Sequence, residues 1–152
     1  MITKPLVNRR GLLGLLGGTV LATGALGANR AWAAVSVARV GDSALTLEFD
    51  AALNSRLISG LAGQAAPLTD FAPSETVTLK GGQVVDRFTF AEQRQAPISD
   101  VHGRGVRHTV RGVSAEGLEK TVSLTFYERY PGFALVTVNW RNTGGRPLDV
   151  ER

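Results

Sequence analysis

The stretch that most constrains the fold is Leu118–Arg146, LEKTVSLTFYERYPGFALVTVNWRNTGGR. On its first arm Val122, Leu124 and Phe126 share one face, with Ser123 and Thr125 between them. On its second arm Ala134, Val136, Val138 and Trp140 share a face, with Thr137 and Asn139 opposite. A period of two marks half-buried strands. Between the arms, Tyr130-Pro131-Gly132-Phe133 has proline where the first central turn position needs φ near −65° and glycine where the second needs positive φ. The second arm ends at Asn142-Thr143-Gly144-Gly145, a further run of turn formers. A long antiparallel pair with one wet and one dry face needs a second sheet over the dry one.

The remainder agrees. Val35–Val40 and Ala44–Phe49 alternate as strands around a Gly41-Asp42-Ser43 turn, with Leu45, Leu47 and Phe49 inward and Thr46 and Glu48 outward. Residues 51–75 are looser, and a helical turn over Leu53–Leu61 is the one regular element they suggest. Thr76–Lys80 reads as a short strand, Gly81-Gly82 as its turn and Gln83–Glu92 as a longer strand with mixed faces. Ala96-Pro97 breaks the pattern. His102–Gly112 resumes it, and Val113–Gly117 turns into the long hairpin. Pro147–Arg152 opens one more strand, so the expectation is a sandwich that continues in a longer protein. Seven or eight strands without a strong amphipathic helix predict an all-β, antiparallel two-sheet sandwich.

Charge is informative once it is located. The 17 Lys+Arg exceed the 13 Asp+Glu, but Lys4, Arg9, Arg10 and Arg30 lie within residues 1–33, which contain no acid. Residues 34–152 are therefore formally neutral and carry no basic stripe, which excludes a nucleic-acid reading. The first 33 residues read as a cleaved leader, residues 34–152 as the sandwich domain. Arg9-Arg10 stands before Gly11-Leu12-Leu13, and 19 uncharged residues, Gly11–Asn29, follow. Ala31 and Ala33 occupy the two positions a signal peptidase reads. The paired arginines resemble the twin-arginine export motif. The glycine-diluted apolar run and Arg30 beside the cleavage site favour that route, with a periplasmic or extracellular destination, over a stable membrane anchor. The twin-arginine export machinery is then the first partner. Without cysteine, no disulfide supports the fold there.

Few residues point to chemistry. His102 and His108 with Asp100 lack the converging ligands of a metal site and read as loop and strand residues. Gly103-Arg104-Gly105 lacks the helix a phosphate loop needs. There is no nucleophile elbow. Asp42, Glu48, Asp86 and Glu128 could form an acid/base pair only if the fold set two of them across a sugar, and they read as surface charge. No catalytic residue, metal site or cofactor is assigned. Trp140 shares a face with valines and reads as core, whereas Tyr127 and Tyr130, at the turn end of the hairpin, are the candidate binding residues.

Tyr127-Glu128-Arg129-Tyr130-Pro131-Gly132-Phe133, then Trp140-Arg141-Asn142-Thr143-Gly144 and Pro147-Leu148, resembles the N-terminal domain of family 36 glycoside hydrolases, the α-galactosidases. Leu45–Asp50 with Asn54-Ser55-Arg56, and His102-Gly103-Arg104-Gly105 with Val110-Arg111-Gly112, resemble that domain's opening and middle strands. The resemblance covers most of residues 35–150 through short motifs shared with other sugar-processing sandwiches. It implies a galactose-mutarotase-like supersandwich and a carbohydrate partner. It also implies a downstream catalytic barrel, outside these 152 residues, that performs retaining hydrolysis of terminal α-galactosides. The alternative is a self-contained exported carbohydrate-binding or adhesion-type module.

Overall fold

In a computed structural model the described residues are 35–60 and 65–151, all within the unit Trp32–Arg152. Arg9, Arg10, Ala31 and Ala33 of the leader lie outside them. Every regular element among the described residues is a strand. The first sheet has the order β1 (Ser36–Gly41), β2 (Leu45–Asp50), β3 (Ser55–Ser59) and β4 (Ala66–Pro67). The second comprises β7 (Thr89–Asp100), β8 (Gly103–Val113), β9 (Leu118–Tyr127) and β10 (Ala134–Asn142), ordered β10-β9-β8-β7. A ribbon of β5 (Val77–Thr78) and β6 (Val84–Val85) completes the fold. All pairings are antiparallel.

The two sheets and the ribbon share one apolar cluster. Val40 and Phe49 come from the first sheet, Val77 and Val85 from the ribbon, and Val110, Val122 and Leu124 from the second sheet. Burying each such side chain is worth about 1.5–3 kcal/mol, so this shared interior is what makes the strands a sandwich. Backbone bonds reinforce it where β7 begins, with Phe88 and Phe90 donating N–H to the carbonyls of Ala52 and Ala51 at 3.2 and 3.0 Å.

The organising hairpin forms with unbroken register from Ala134↔Phe126 to Asn142↔Leu118. Its turn is the expected one: Phe133 N–H bonds the Tyr130 carbonyl at 3.2 Å, and Gly132 has φ 76°. The two arms differ in burial, however. β9 is central and buried along most of its length, whereas β10 is an edge strand that leaves Val136 49% exposed and Trp140 half-buried.

Four further expectations need correction. Residues 55–59 are strand β3, not helix, and Leu53 before them takes a left-handed φ of 57° that a helical turn does not use. The strand read over Gln83–Glu92 is split, with β6 ending at Val85 and β7 starting at Thr89. Pro97 does not break β7; it lies inside this twelve-residue edge strand opposite Val106, and an edge is where a sheet tolerates a residue with no N–H. Thr46 and Glu48, on the face opposite Phe49, are buried and not open to solvent; Arg39 and Arg56 close over the Glu48 carboxylate at 3.5 and 2.7 Å. Near the chain's end Val150 bridges Leu79, so the strand expected to open at Pro147 adds to the ribbon.

Candidate functional site

The outer face of the second sheet carries the most elaborate polar surface, and its geometry starts at Asp100. This last residue of β7 opposes Gly103, leaving Val101 and His102 as a two-residue connection. Gly103 takes φ 113°, a conformation strained for any residue with a Cβ. Asp100 Oδ1 accepts the His102 N–H at 2.8 Å, which closes the turn. Its Oδ2 accepts the Tyr127 hydroxyl at 2.8 Å across the intervening strand. At that crossing β8 carries Gly105, paired with Tyr127 on one side and Ile98 on the other, and a Cβ there would lie 2.2 Å from the Phe126 carbonyl. Small side chains at the crossing are therefore a condition of the Asp100–Tyr127 contact. The His102 ring meets Tyr127 edge-on at 5.5 Å.

From this corner two hollows run along the sheet and share His102, Tyr127 and Leu135. One, of about 390 Å³, has a polar floor of Arg107, Ser123, Thr125, Thr137 and Asn139. The other, of about 550 Å³, is bounded by Tyr130, Pro131 and Phe133 of the hairpin turn. Register explains the floor: Arg107 opposes Thr125, Thr125 opposes Leu135, and Ser123 opposes Thr137, so alternate residues of three strands line up on the wet face. Arg107 touches the Thr125 hydroxyl at only 3.4 Å, near the limit of a useful hydrogen bond. Among the described residues its guanidinium has no carboxylate partner within ion-pair range, whereas Arg94, Arg111 and Arg141 on the same sheet are held by Glu92 and Glu119.

The electrostatics favour holding over proton transfer. Hydrogen bonds from the His102 N–H and the Tyr127 hydroxyl keep the Asp100 carboxyl below the usual aspartate range. The same bond to Asp100, with burial, raises the Tyr127 phenol above its usual value. Asp100 is thus a fixed anion and Tyr127 a fixed donor around neutral pH, neither poised near 7 as a general acid or base would be.

Of the two candidate binding residues, both border the apolar hollow, but they differ. Tyr130 is 43% exposed. Tyr127 is 5% exposed, its hydroxyl committed to Asp100 and its ring to His102. Trp140 takes no part in this surface; it packs 5.5 Å from Phe88 on the inner side, with the Lys120 ammonium 5.7 Å from its ring. His108 is no solvent-facing strand residue: it is buried on the inner face, edge-on to Phe126 at 5.9 Å, with Nδ1 unpartnered. The proposed surface carboxylates Asp42 and Glu48 serve turns and ion pairs. Ser123, Thr125, Thr137 and Asn139 were legible in the sequence as a wet face but not as a cleft floor, and Arg107 carried no pattern of its own.

No protein-family model matches this sequence, and no curated protein is similar to it. The reading of the surface therefore rests on its own chemistry.

Proposed function

We propose that the sandwich is a non-catalytic, carbohydrate-contacting domain of an exported glycoside hydrolase of the α-galactosidase type, and that the outer face of its second sheet is the contact surface. The observation that carries the carbohydrate reading is the junction, at Tyr127, of a floor rich in hydroxyl, amide and guanidinium groups with an aromatic rim. Sugars require both, because their hydroxyls pair with polar side chains while their C–H faces stack on rings. The cleft has one cation, Arg107, and one anion, Asp100, and that balance suits an uncharged polyhydroxylated ligand better than a phosphate or sulfate. The enzyme-domain reading is supported by the motif resemblance around Tyr127–Phe133 and Trp140–Gly144, and the export reading by Arg9-Arg10 and Ala31-Trp32-Ala33. In that protein a downstream barrel performs hydrolysis and the sandwich helps to wall or assemble the active site. A self-contained binding module uses the same surface and is the second reading.

Calorimetric titration of the chain with neutral sugars tests the surface. Arg107→Ala should weaken binding by about tenfold or more, the worth of one charge-assisted hydrogen bond; unaltered affinity would place the sugar elsewhere. Export is checked separately: Arg9→Lys together with Arg10→Lys should leave the protein in the cytoplasm, and undiminished export of that variant would point to the general secretory route.

A further inference from the structure

The two hollows differ in chemistry yet share a wall, and this juxtaposition says something about ligand size. From Phe133 at the turn to Asn139 on β10 is six residues of extended chain, about 20 Å at ~3.3 Å per residue. The aromatic rim lies at one end of that length, with Tyr130 43% and Phe133 53% exposed. The polar floor lies at the other, with Thr137 and Asn139 exposed on β10 and Ser123 opposite Thr137 on β9. Leu135, 40% exposed, joins the two. A single pyranose ring covers only part of this length, so it can meet the rim and the near floor at Tyr127 but cannot stack on Phe133 and reach Asn139 at once.

We propose that this surface binds an uncharged oligosaccharide of two or more rings lying along the strands, one ring stacked on Tyr130 and Phe133 and the next bonded to Arg107, Thr137 and Asn139. This deepens the carbohydrate reading and rests on it. The floor offers both donors and acceptors: the Arg107 and Asn139 N–H groups donate, and the Ser123, Thr125 and Thr137 hydroxyls can do either. Alternating polarity of that kind suits successive hydroxyls around a ring. The rim offers ring faces and proline, which suit the C–H face of a neighbouring unit, with the Arg129 guanidinium 5.8 Å from the Tyr130 ring. Tyr127 between them is pinned by Asp100 and His102 and needs no reordering when a ligand arrives, so its share of the entropy of binding is already met.

The experiment is a calorimetric length series on the 152-residue chain, using gluco-, galacto-, manno- and xylo-oligosaccharides of one to four rings. In the best series affinity should rise about tenfold or more between one ring and three. Phe133→Ala, at an exposed turn residue, should abolish that gain, and Arg107→Ala should weaken every length. Equal affinity for one ring and three, or a Phe133→Ala variant that keeps the full length dependence, would overturn the two-ring arrangement while leaving a sugar site in place. Binding to no sugar of any series, by a chain whose circular dichroism shows a folded β protein, would overturn the carbohydrate reading itself.

Discussion

Lys120 is 1% exposed, the third residue of β9 and on the inner face of its sheet. A buried ammonium persists only when its charge and its hydrogen bonds are met, and here Ser74 and Glu75 meet them. Its Nζ donates to the Ser74 carbonyl and pairs with Glu75 Oε2 at 2.9 Å. It also lies 5.5 and 5.7 Å from the Phe88 and Trp140 rings, whose faces attract a cation. Glu75 takes a left-handed φ of 48°. One lysine thus pins the loop before β5 onto the second sheet. Lys120→Ala should cost about 3–5 kcal/mol, since it opens a cavity and leaves the Ser74 carbonyl without its donor. Lys120→Met keeps the volume and should cost roughly half as much, chiefly through the unpaired Ser74 carbonyl. Urea denaturation of the two variants measures the difference, and equal losses would refute the account. None of this was legible from Leu118-Glu119-Lys120: alternation places Lys120 on the same face as Val122, but only the fold brings Ser74, some 46 residues away, to its side.

Two turns join the sheets at the end near the proposed sugar surface. In the β1–β2 turn, Asp42 Oδ1 accepts the N–H groups of Ala44 and Leu45 at 2.8 and 2.7 Å. Its Oδ2 accepts the Gly132 N–H at 2.6 Å, from the turn between β9 and β10. One carboxylate therefore shapes its own hairpin and fastens it to the other. Asp42→Ala should destabilise the fold by about 2–3 kcal/mol, and Asp42→Asn, which keeps one acceptor oxygen, by about half that; the denaturation midpoints of both variants decide it. The sequence shows that Asp42 sits in a turn and that Gly132 needs positive φ, because both are local properties. That the two turns meet is a tertiary fact. The same division runs through the strands. Local alternation locates β2, β8, β9 and β10 and therefore the all-β sandwich, but it cannot tell an edge from a centre. Pro97 and Val136 are accordingly misjudged, the first as a break and the second as core. The wet face of the hairpin was visible, yet its conversion into a cleft floor needed Arg107 from β8 beside it.

Across the whole molecule, burial and hydrogen bonding shift several ionisable groups in one direction, so the response to acid has a definite form. Burial opposes ionisation of Asp42, but the N–H groups of Gly132, Leu45 and Ala44 outweigh it and hold the carboxyl below its usual range. Arg111 and then Arg141 do the same for Glu119, and the His102 N–H and Tyr127 hydroxyl for Asp100. A carboxyl with a lower pKa folded than unfolded contributes stability that is whole above the unfolded value near 4 and disappears as pH falls through the folded one. His108 obeys the same sign for a different reason: burial among apolar neighbours lowers its pKa below the ordinary 6.5, so the folded state keeps it neutral while the unfolded chain takes up a proton. Its share of stability is whole above about pH 6.5 and is lost as the pH drops below that value. Two declines are therefore expected on acidification, a shallow one beginning below about 6.5 and a steep one below about 4. His108→Phe, which keeps a planar ring beside Phe126, should erase the first and leave the second. Urea midpoints collected from pH 7.5 to 3 for both proteins provide the comparison. A wild-type curve flat from 7.5 to 5 would mean that His108 takes up its proton as readily in the folded state as in the unfolded chain, and would refute the account.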